Sequence, residues 1–424
     1  MLSWMVAALL ICFVCNVPIG FSLGIASVVA LQFGGGMSLN LVPQRLVAGV
    51  NSFPLLAIPF FMLAGAIMET GGVSRRIVAL ASTLVGHIRG GLAAVSVMAC
   101  AFFAAISGST PATAAAVGAL TIPEMEARGY PRDYAAAVVA ASSCLGVIIP
   151  PSITMVIFGV VANVSIGALL IGGIVPGILL ALMLIGTNYY MARKAGYPIE
   201  PRASWRERTK TFLDALWGLM MPAIILGGIM SGVFTPTESA GIAVVWGLFV
   251  SLFVYKEMGL KDLVPVLYKA SLGSAMIMTL IAAASPFGFL MTVEQVPQMA
   301  SQGILNLSDN WLVLFWLILV IYLILGTFME TAAIILLVVP VFEPIARSLG
   351  IDMVHFGVVT VIALAIGMAT PPVGIALFAT CGVSDVPIGE LVRKIWPFLI
   401  TLIVGLFLLS LMPFVSTFLP GLMM

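Results

Sequence analysis

Long apolar runs alternate along the chain with short polar interruptions. A membrane-spanning helix needs about 20 apolar residues, with a range of roughly 17 to 25. On that measure the runs 51–70, 132–160, 166–192, 212–233, 237–255, 270–291, 354–382 and 395–418 predict crossings. Residues 2–33 read either as one long helix or as two short crossings broken at Asn16-Val17-Pro18. Two further runs, 90–127 and 311–346, each carry a polar or glycine break near the middle. Each has the length of two half-helices and predicts a re-entrant hairpin, although a pair of full crossings would satisfy the flanking charges equally.

The hairpin turns are unusual for an apolar chain. The first is "SGSTPAT", Ser107 to Thr113, and the second is "ILGTFMET", Ile324 to Thr331. Irregular backbone at membrane depth is tolerated only where protein buries it or a water-filled site adjoins it. The plainer reading of the first turn is close helix packing by small residues, which does not exclude a site. A crossing broken in its middle follows each hairpin, at Pro150-Pro151 and at Pro371-Pro372. A proline pair removes two backbone donors and forbids a continuous helix. Carbonyls upstream are thereby freed, around Gly146–Ile149 and Gly367–Thr370. Freed carbonyls beside hydroxyls form a hard-oxygen site that suits Na⁺. The half-helix N-terminus after each turn suits a carboxylate. Two such units predict two cation sites flanking an anionic substrate.

The two units are related. A shift of 221 positions superposes Pro123 on Pro344, Gly129 on Gly350, Gly146 on Gly367, Pro150 on Pro371 and Pro151 on Pro372. Each half then holds about five crossings and one hairpin. An odd number turns the second half upside down, and inverted repeats with broken helices at the midplane are a secondary-transporter architecture. The first repeat covers 1–192, a linker covers 193–211, and the second repeat covers 212–424.

Composition sharpens the class. The 424 residues are 62% hydrophobic and only 8% charged, against about 25% charged in soluble domains, and the mean hydropathy is +1.20. The fold class is therefore all-α and polytopic, in a lipid bilayer. A net charge of +1 implies no nucleic-acid partner. Basic residues cluster at Arg75–Arg76, Arg89, Arg128–Arg132, Arg193–Lys210, Lys256–Lys269 and Arg393–Lys394, and none occurs from Ala270 to Ala346. The positive-inside rule makes those clusters cytoplasmic and places both termini outside. The stretches 34–50 and 256–269 read as amphipathic arms along the two interfaces. The N-terminus lacks the basic region and cleavage site of a signal peptide.

Candidate chemistry is sparse. The C-x-x-C of Cys12 and Cys15 has no further ligands nearby, and His87 and His355 are the only histidines. No Walker motif occurs, so ATP is not expected as the drive. Ionisable groups inside a membrane are functional candidates, and Glu238 and Glu330 are the best placed. Glu69, Glu124 and Asp133 sit near the cytoplasmic boundary, where pairing or solvation is expected.

The segments "NSFPLLAIPFFMLAG" (51–65), "SGSTPATAAAVG" (107–118), "AASSCLGVIIPPS" (140–152), "FTPTESAG" (234–241), "TVEQVP" (292–297) and "IGMATPPVG" (366–374) resemble the large membrane subunit of tripartite ATP-independent periplasmic (TRAP) transporters. The resemblance covers nearly the whole chain. It implies a bacterial inner-membrane, Na⁺-coupled importer of organic acids such as sialic acid or C4-dicarboxylates, working by an elevator motion. It implies two partners, a small four-helix membrane (Q) subunit and a periplasmic substrate-binding (P) protein. Carried over, Ser107, Ser109, Gly146, Ile149 and Pro151 belong to one Na⁺ site, and Gly326, Gly367 and Thr370 to the other. Thr110, Thr113, Thr327, Thr331, Pro150 and Pro371 fall to the substrate. Residues 90–160 and 311–382 form the expected transport body, with the rest as scaffold and arms. A self-sufficient Na⁺/dicarboxylate symporter of related design is the alternative within transport. An integral-membrane enzyme finds no Ser/His/Asp set and no H-E-x-x-H motif.

Overall fold

The computed structural model describes residues 1–197, 201–308 and 310–423. Among them no strand occurs. Part of the expected linker, 198–200, lies outside the described residues.

The chain opens with two helices, α1 (Leu2–Val14) and α2 (Ile19–Gly34), packed on each other. The break is local chemistry: Asn16 takes a left-handed φ of 56°, and Pro18 stands just before α2. Next come α3 (Leu41–Val50), α4 (Ala57–Thr70) and α5 (Val73–Val85). Helix α5 was not among the expected elements. It buries Val73, Ile77, Leu80 and Ala81 and leaves Arg75 exposed, the stripe of an amphipathic surface helix.

The first hairpin is α6 (Gly91–Ser107) and α7 (Thr110–Ala127). Helix α8 (Arg132–Ser142) tightens into a 3₁₀ turn at Ser143–Val147, breaks at the proline pair and resumes as α9 (Ile153–Val161). The half ends with α10 (Ile166–Gly172) and α11 (Ile174–Ala195). In the second half, α12 (Trp205–Met230) and α13 (Pro236–Phe249) precede α14 (Leu263–Val293) and α15 (Val296–Leu305). The second hairpin is α16 (Trp311–Phe328) and α17 (Thr331–Ser348). The second broken helix is α18 (Met353–Met368) and α19 (Ile375–Ser384), followed by α20 (Ile388–Ser410) and α21 (Pro413–Met423). By length and composition, eight stretches among the described residues can cross a membrane.

Three boundaries differ from expectation. The arm at 256–269 is not a separate helix, because α14 starts at Leu263 and runs unbroken through the crossing. The run 395–418 divides, because Pro413 opens a new helix where its missing N–H costs nothing. Residues 292–310 contain α15, started by Gln295 at φ 56° and by Pro297 in its first turn.

The broken helices are the centre of the fold. Every residue of α18 from His355 to Met368 is buried, as is every residue of α8 from Tyr134 to Ser142. Such all-round apolar burial marks an interior helix. Packing around them is reciprocal. Helix α7 lies on α19, and α17 lies on α9. Each hairpin's first helix packs on the broken helix of its own half, α6 on α8 and α16 on α18. Helices α7 and α17 begin at Thr110 and Thr331, the same 221-residue offset that relates the proline pairs. Outside this body, α4 packs between α13 and α14, and α14 also packs on α2 and α3. Ion pairs join segments assigned to one face: Arg76 with Glu257 (2.7 Å), Lys269 with Glu69 (2.9 Å) and Lys394 with Asp133 (3.7 Å).

Candidate functional site

The two hairpin turns face one cavity of about 80 Å³. Gly108, Ser109 and Thr110 line it from the first turn, and Glu330 and Thr331 from the second. Thr154 of α9 completes the polar wall, and its hydroxyl lies 3.4 Å from that of Thr331.

The first turn is built by sequence. Gly108 ends α6 with φ +60°, and a Cβ there would stand 2.8 Å from the Pro151 carbonyl oxygen. Glycine meets both demands. Ser109 is extended and precedes α7 without capping it through its side chain. Pro111 then presets the first helical turn. Three oxygens gather behind the turn. The Ser107 and Thr113 hydroxyls lie 2.8 Å apart, and Thr113 donates to the Ser109 carbonyl at 2.8 Å. Gly146 closes over them; a Cβ on it would meet Thr113 Oγ1 at 2.6 Å and Ser109 O at 2.8 Å. Ser152 stitches the break, donating to Val147 O at 2.6 Å and accepting from Met155 N–H at 3.2 Å. The Ile149 side chain instead turns toward α11, where a Cβ on Gly177 would come within 2.5 Å of it.

The second unit is built differently. Gly326 and Gly367 bring two backbones together, and a Cβ on Gly367 would stand 2.7 Å from Gly326 Cα. The Thr327 hydroxyl donates within α16 to Ile324 O, and the Thr370 hydroxyl, two residues past the end of α18, donates back to Ile366 O, each at 2.7 Å. The Gly374 N–H donates to Thr327 O at 2.9 Å and ties the break to the hairpin. Thr327, Thr370 and Pro371 line a separate, largely apolar cleft of about 280 Å³ with Ile403.

The residues assigned from sequence therefore gather in three places. Ser107, Ser109, Thr113, Gly146 and Pro151 meet at the first turn. Thr113, assigned to substrate, sits with the Na⁺ set. Gly326, Gly367 and Thr370 meet at the second break, together with Thr327 and Pro371. Only Ser109, Thr110, Thr331 and Glu330 line the central cavity, and Pro150 is buried away from it. Glu238 lies elsewhere: it is exposed, and its carboxylate accepts from Thr235 N–H and Oγ1 at 2.8 Å in a capping box. Glu330 also caps its helix, accepting from Ala332 N–H at 3.2 Å, but it does so on the cavity wall. Met62, Thr154, Ile277 and Met368 line the cavity without having been singled out. Met62 and Met368 lie inside the quoted segments 51–65 and 366–374, and Thr154 stands three residues past the first proline pair.

Against known proteins, the family "Tripartite ATP-independent periplasmic transporter, DctM component" matches residues 6–415. The chain belongs to this family. It is a TRAP transporter large permease, a multi-pass membrane protein. The "C4-dicarboxylate TRAP transporter large permease protein DctM" of Pseudomonas aeruginosa is 44% identical over 94% of each chain. The "Sialic acid TRAP transporter large permease protein SiaM" of Vibrio cholerae is 40% identical, covering 96% of this chain and 95% of that one. The "Isethionate TRAP transporter permease protein DctMQ" of Oleidesulfovibrio alaskensis is 41% identical and covers 96% of this chain, which spans 64% of it. Among solved structures, the YdaH transporter of Alcanivorax borkumensis has a TM-score of 0.63 at 16% identity, covering 88% of each chain, a likeness of fold alone.

Proposed function

We propose that this TRAP permease imports a compact organic acid, driven by Na⁺ and without ATP. The observation that carries the reading is the cavity shared by two hairpin turns, with two helix N-termini and five hydroxyl or carboxyl side chains on its wall. The two N-termini are not equivalent. That of α17 is neutralised by Glu330, whereas α7 has no side-chain cap. Its first residue, Thr110, is fully buried with no partner for Oγ1 among the described residues. The substrate carboxylate belongs at α7, where N–H groups and the dipole favour negative charge. The small volume and the apolar positions Val147, Ile153 and Ile157 favour a short acid over a polyhydroxylated one.

Na⁺ fits the oxygen set behind the first turn: the Ser107 and Thr113 hydroxyls with the carbonyls of Ser109, Gly146 and Ile149. Carbonyls of Gly326 and Gly367, with Thr370, would hold a second ion. In this reading the halves are inverted repeats, both termini are periplasmic, and 90–160 with 311–382 moves as one body against the scaffold. A small membrane subunit and a periplasmic binding protein complete the inner-membrane transporter. Uptake of a labelled acid into proteoliposomes tests it. An inward Na⁺ gradient should drive accumulation only when the small subunit and the binding protein are both present. Uptake by this chain alone would make it a self-sufficient symporter, and uptake indifferent to Na⁺ would remove the coupling.

A further inference from the structure

The cavity has a second side. Its polar wall comes from the hairpins and the first broken helix, but Met62 of α4 and Ile277 of α14 close it from the scaffold. Met62 does not lie loosely there. Its methyl is seated over Gly273, one turn before Ile277 on α14, where a Cβ would come within 2.3 Å of Met62 Cε. The Ser274 hydroxyl donates to its sulfur at 3.6 Å. Ser274 is itself buried and also donates to Ala270 O at 2.7 Å. The notch therefore exists only because position 273 has no side chain, and the thioether is the flexible member of the contact.

We propose that Met62, seated in the Gly273–Ser274 notch, is the residue that sets the size of acid the site admits. This rests on the function proposed above. Hairpin residues hold a carboxylate of the substrate, and the scaffold thioether packs on its methylenes and sets how long a chain fits. Depth is then fixed by where the methyl rests. An unbranched, uncharged side chain at that place discriminates by volume, which is worth only modest factors per methylene. Filling the notch displaces the methyl, and truncating Met62 removes it.

The experiment uses the full chain with its membrane and periplasmic partners in proteoliposomes. Uptake of a labelled four-carbon dicarboxylate is competed by unlabelled dicarboxylates of four to seven carbons. Gly273→Ala should raise the KM for the four-carbon acid about tenfold, leaving half-saturation by Na⁺ unchanged. Met62→Ala should make the six- and seven-carbon acids at least fivefold better competitors. In the double variant the Gly273→Ala defect should vanish, because no methyl remains to be displaced. Met62→Leu, which keeps the volume, serves should Met62→Ala fold poorly, and it should keep the wild-type size order. An unchanged size order in Met62→Ala, or a Gly273→Ala defect that persists in the double variant, would overturn the assignment. Failure of the wild-type assembly to take up any of the acids would instead strike the proposed function itself.

Discussion

The two hairpin and broken-helix units share a sequence offset and differ in what fills it. In the first, hydroxyls of Ser107 and Thr113 face each other across the turn, and Gly146 packs against Thr113 Oγ1 and the Ser109 carbonyl. Pro150 and Pro151 are buried. In the second, the glycines Gly326 and Gly367 put backbone against backbone, and the hydroxyls of Thr327 and Thr370 bond back to Ile324 O and Ile366 O. Pro372 is exposed. Where the first turn has Ser109, the second has Glu330, 221 positions on. One unit thus offers side-chain oxygens and an open helix N-terminus. The other offers backbone oxygens and a carboxylate that already occupies its N-terminus. The two units share their breaks and differ in the groups they present.

The comparison breaks most severely at the glycine crossing. Gly367→Ala places a methyl 2.7 Å from Gly326 Cα and 2.8 Å from Leu323 O, where neither neighbour is a flexible side chain. Overpacking of this kind costs about 1–3 kcal/mol, and here the break itself must open. Uptake should be lost and the melting temperature lowered. Gly146→Ala should be milder in stability, because part of its clash is with the Thr113 side chain. Equal losses in both would erase the distinction between the units.

Glu330 comes next. Glu330→Ala removes both the cap on Ala332 N–H and the charge on the cavity wall, and uptake should fall by more than about tenfold. Glu330→Gln keeps an acceptor for the cap, so it isolates the charge. If Gln restored full uptake, Glu330 would be a cap and nothing more.

The hydroxyls sharpen the contrast. Thr113→Val should raise the Na⁺ concentration for half-maximal uptake about tenfold, the equivalent of about 1.4 kcal/mol. Thr370→Val should change it only about twofold: both hydroxyls bond back to the carbonyl four residues earlier, but Thr113 also meets the Ser107 hydroxyl at 2.8 Å and Thr370 meets no second hydroxyl among the described residues. A reversed order would exchange the roles of the two units. The smallest effect belongs to Glu238→Gln. Its carboxylate is exposed in a capping box, so uptake and Na⁺ dependence should both stay at wild-type values.

Legibility in the sequence followed the physics. Breaks were readable because proline and glycine act locally: Gly108, Pro150-Pro151 and Pro371-Pro372 each interrupt a helix where the residue types demand it. The amphipathic α5 was missed because its charges, Arg75 and Arg76, were read only as a topological marker. At the site, the Ser107–Ser109–Gly146 grouping was legible from freed carbonyls beside hydroxyls. The separation of Thr113 from Thr110 was not, since only the helical turn between them decides which faces the cavity and which faces Gly146. Glu238 misled for a related reason. Thr235 three residues before it is a capping-box signature, and the cap took precedence over the intramembrane reading. The contact of Met62 with Gly273 carried no signal, although Met62 lies in the quoted segment 51–65, because it depends on how α4 packs against α14.

Helix α14 has 31 residues, so at about 1.5 Å each it measures about 46 Å. The hydrocarbon layer is only about 30 Å thick. A helix that exceeds its solvent in this way must lean or project, and the angle it takes follows bilayer thickness. Ile277 on this helix lines the cavity, and Gly273 one turn before it seats Met62, which also lines it. If Met62 in the Gly273–Ser274 notch sets substrate size as proposed, the acyl-chain length of the surrounding lipid should shift that size limit through the tilt of α14.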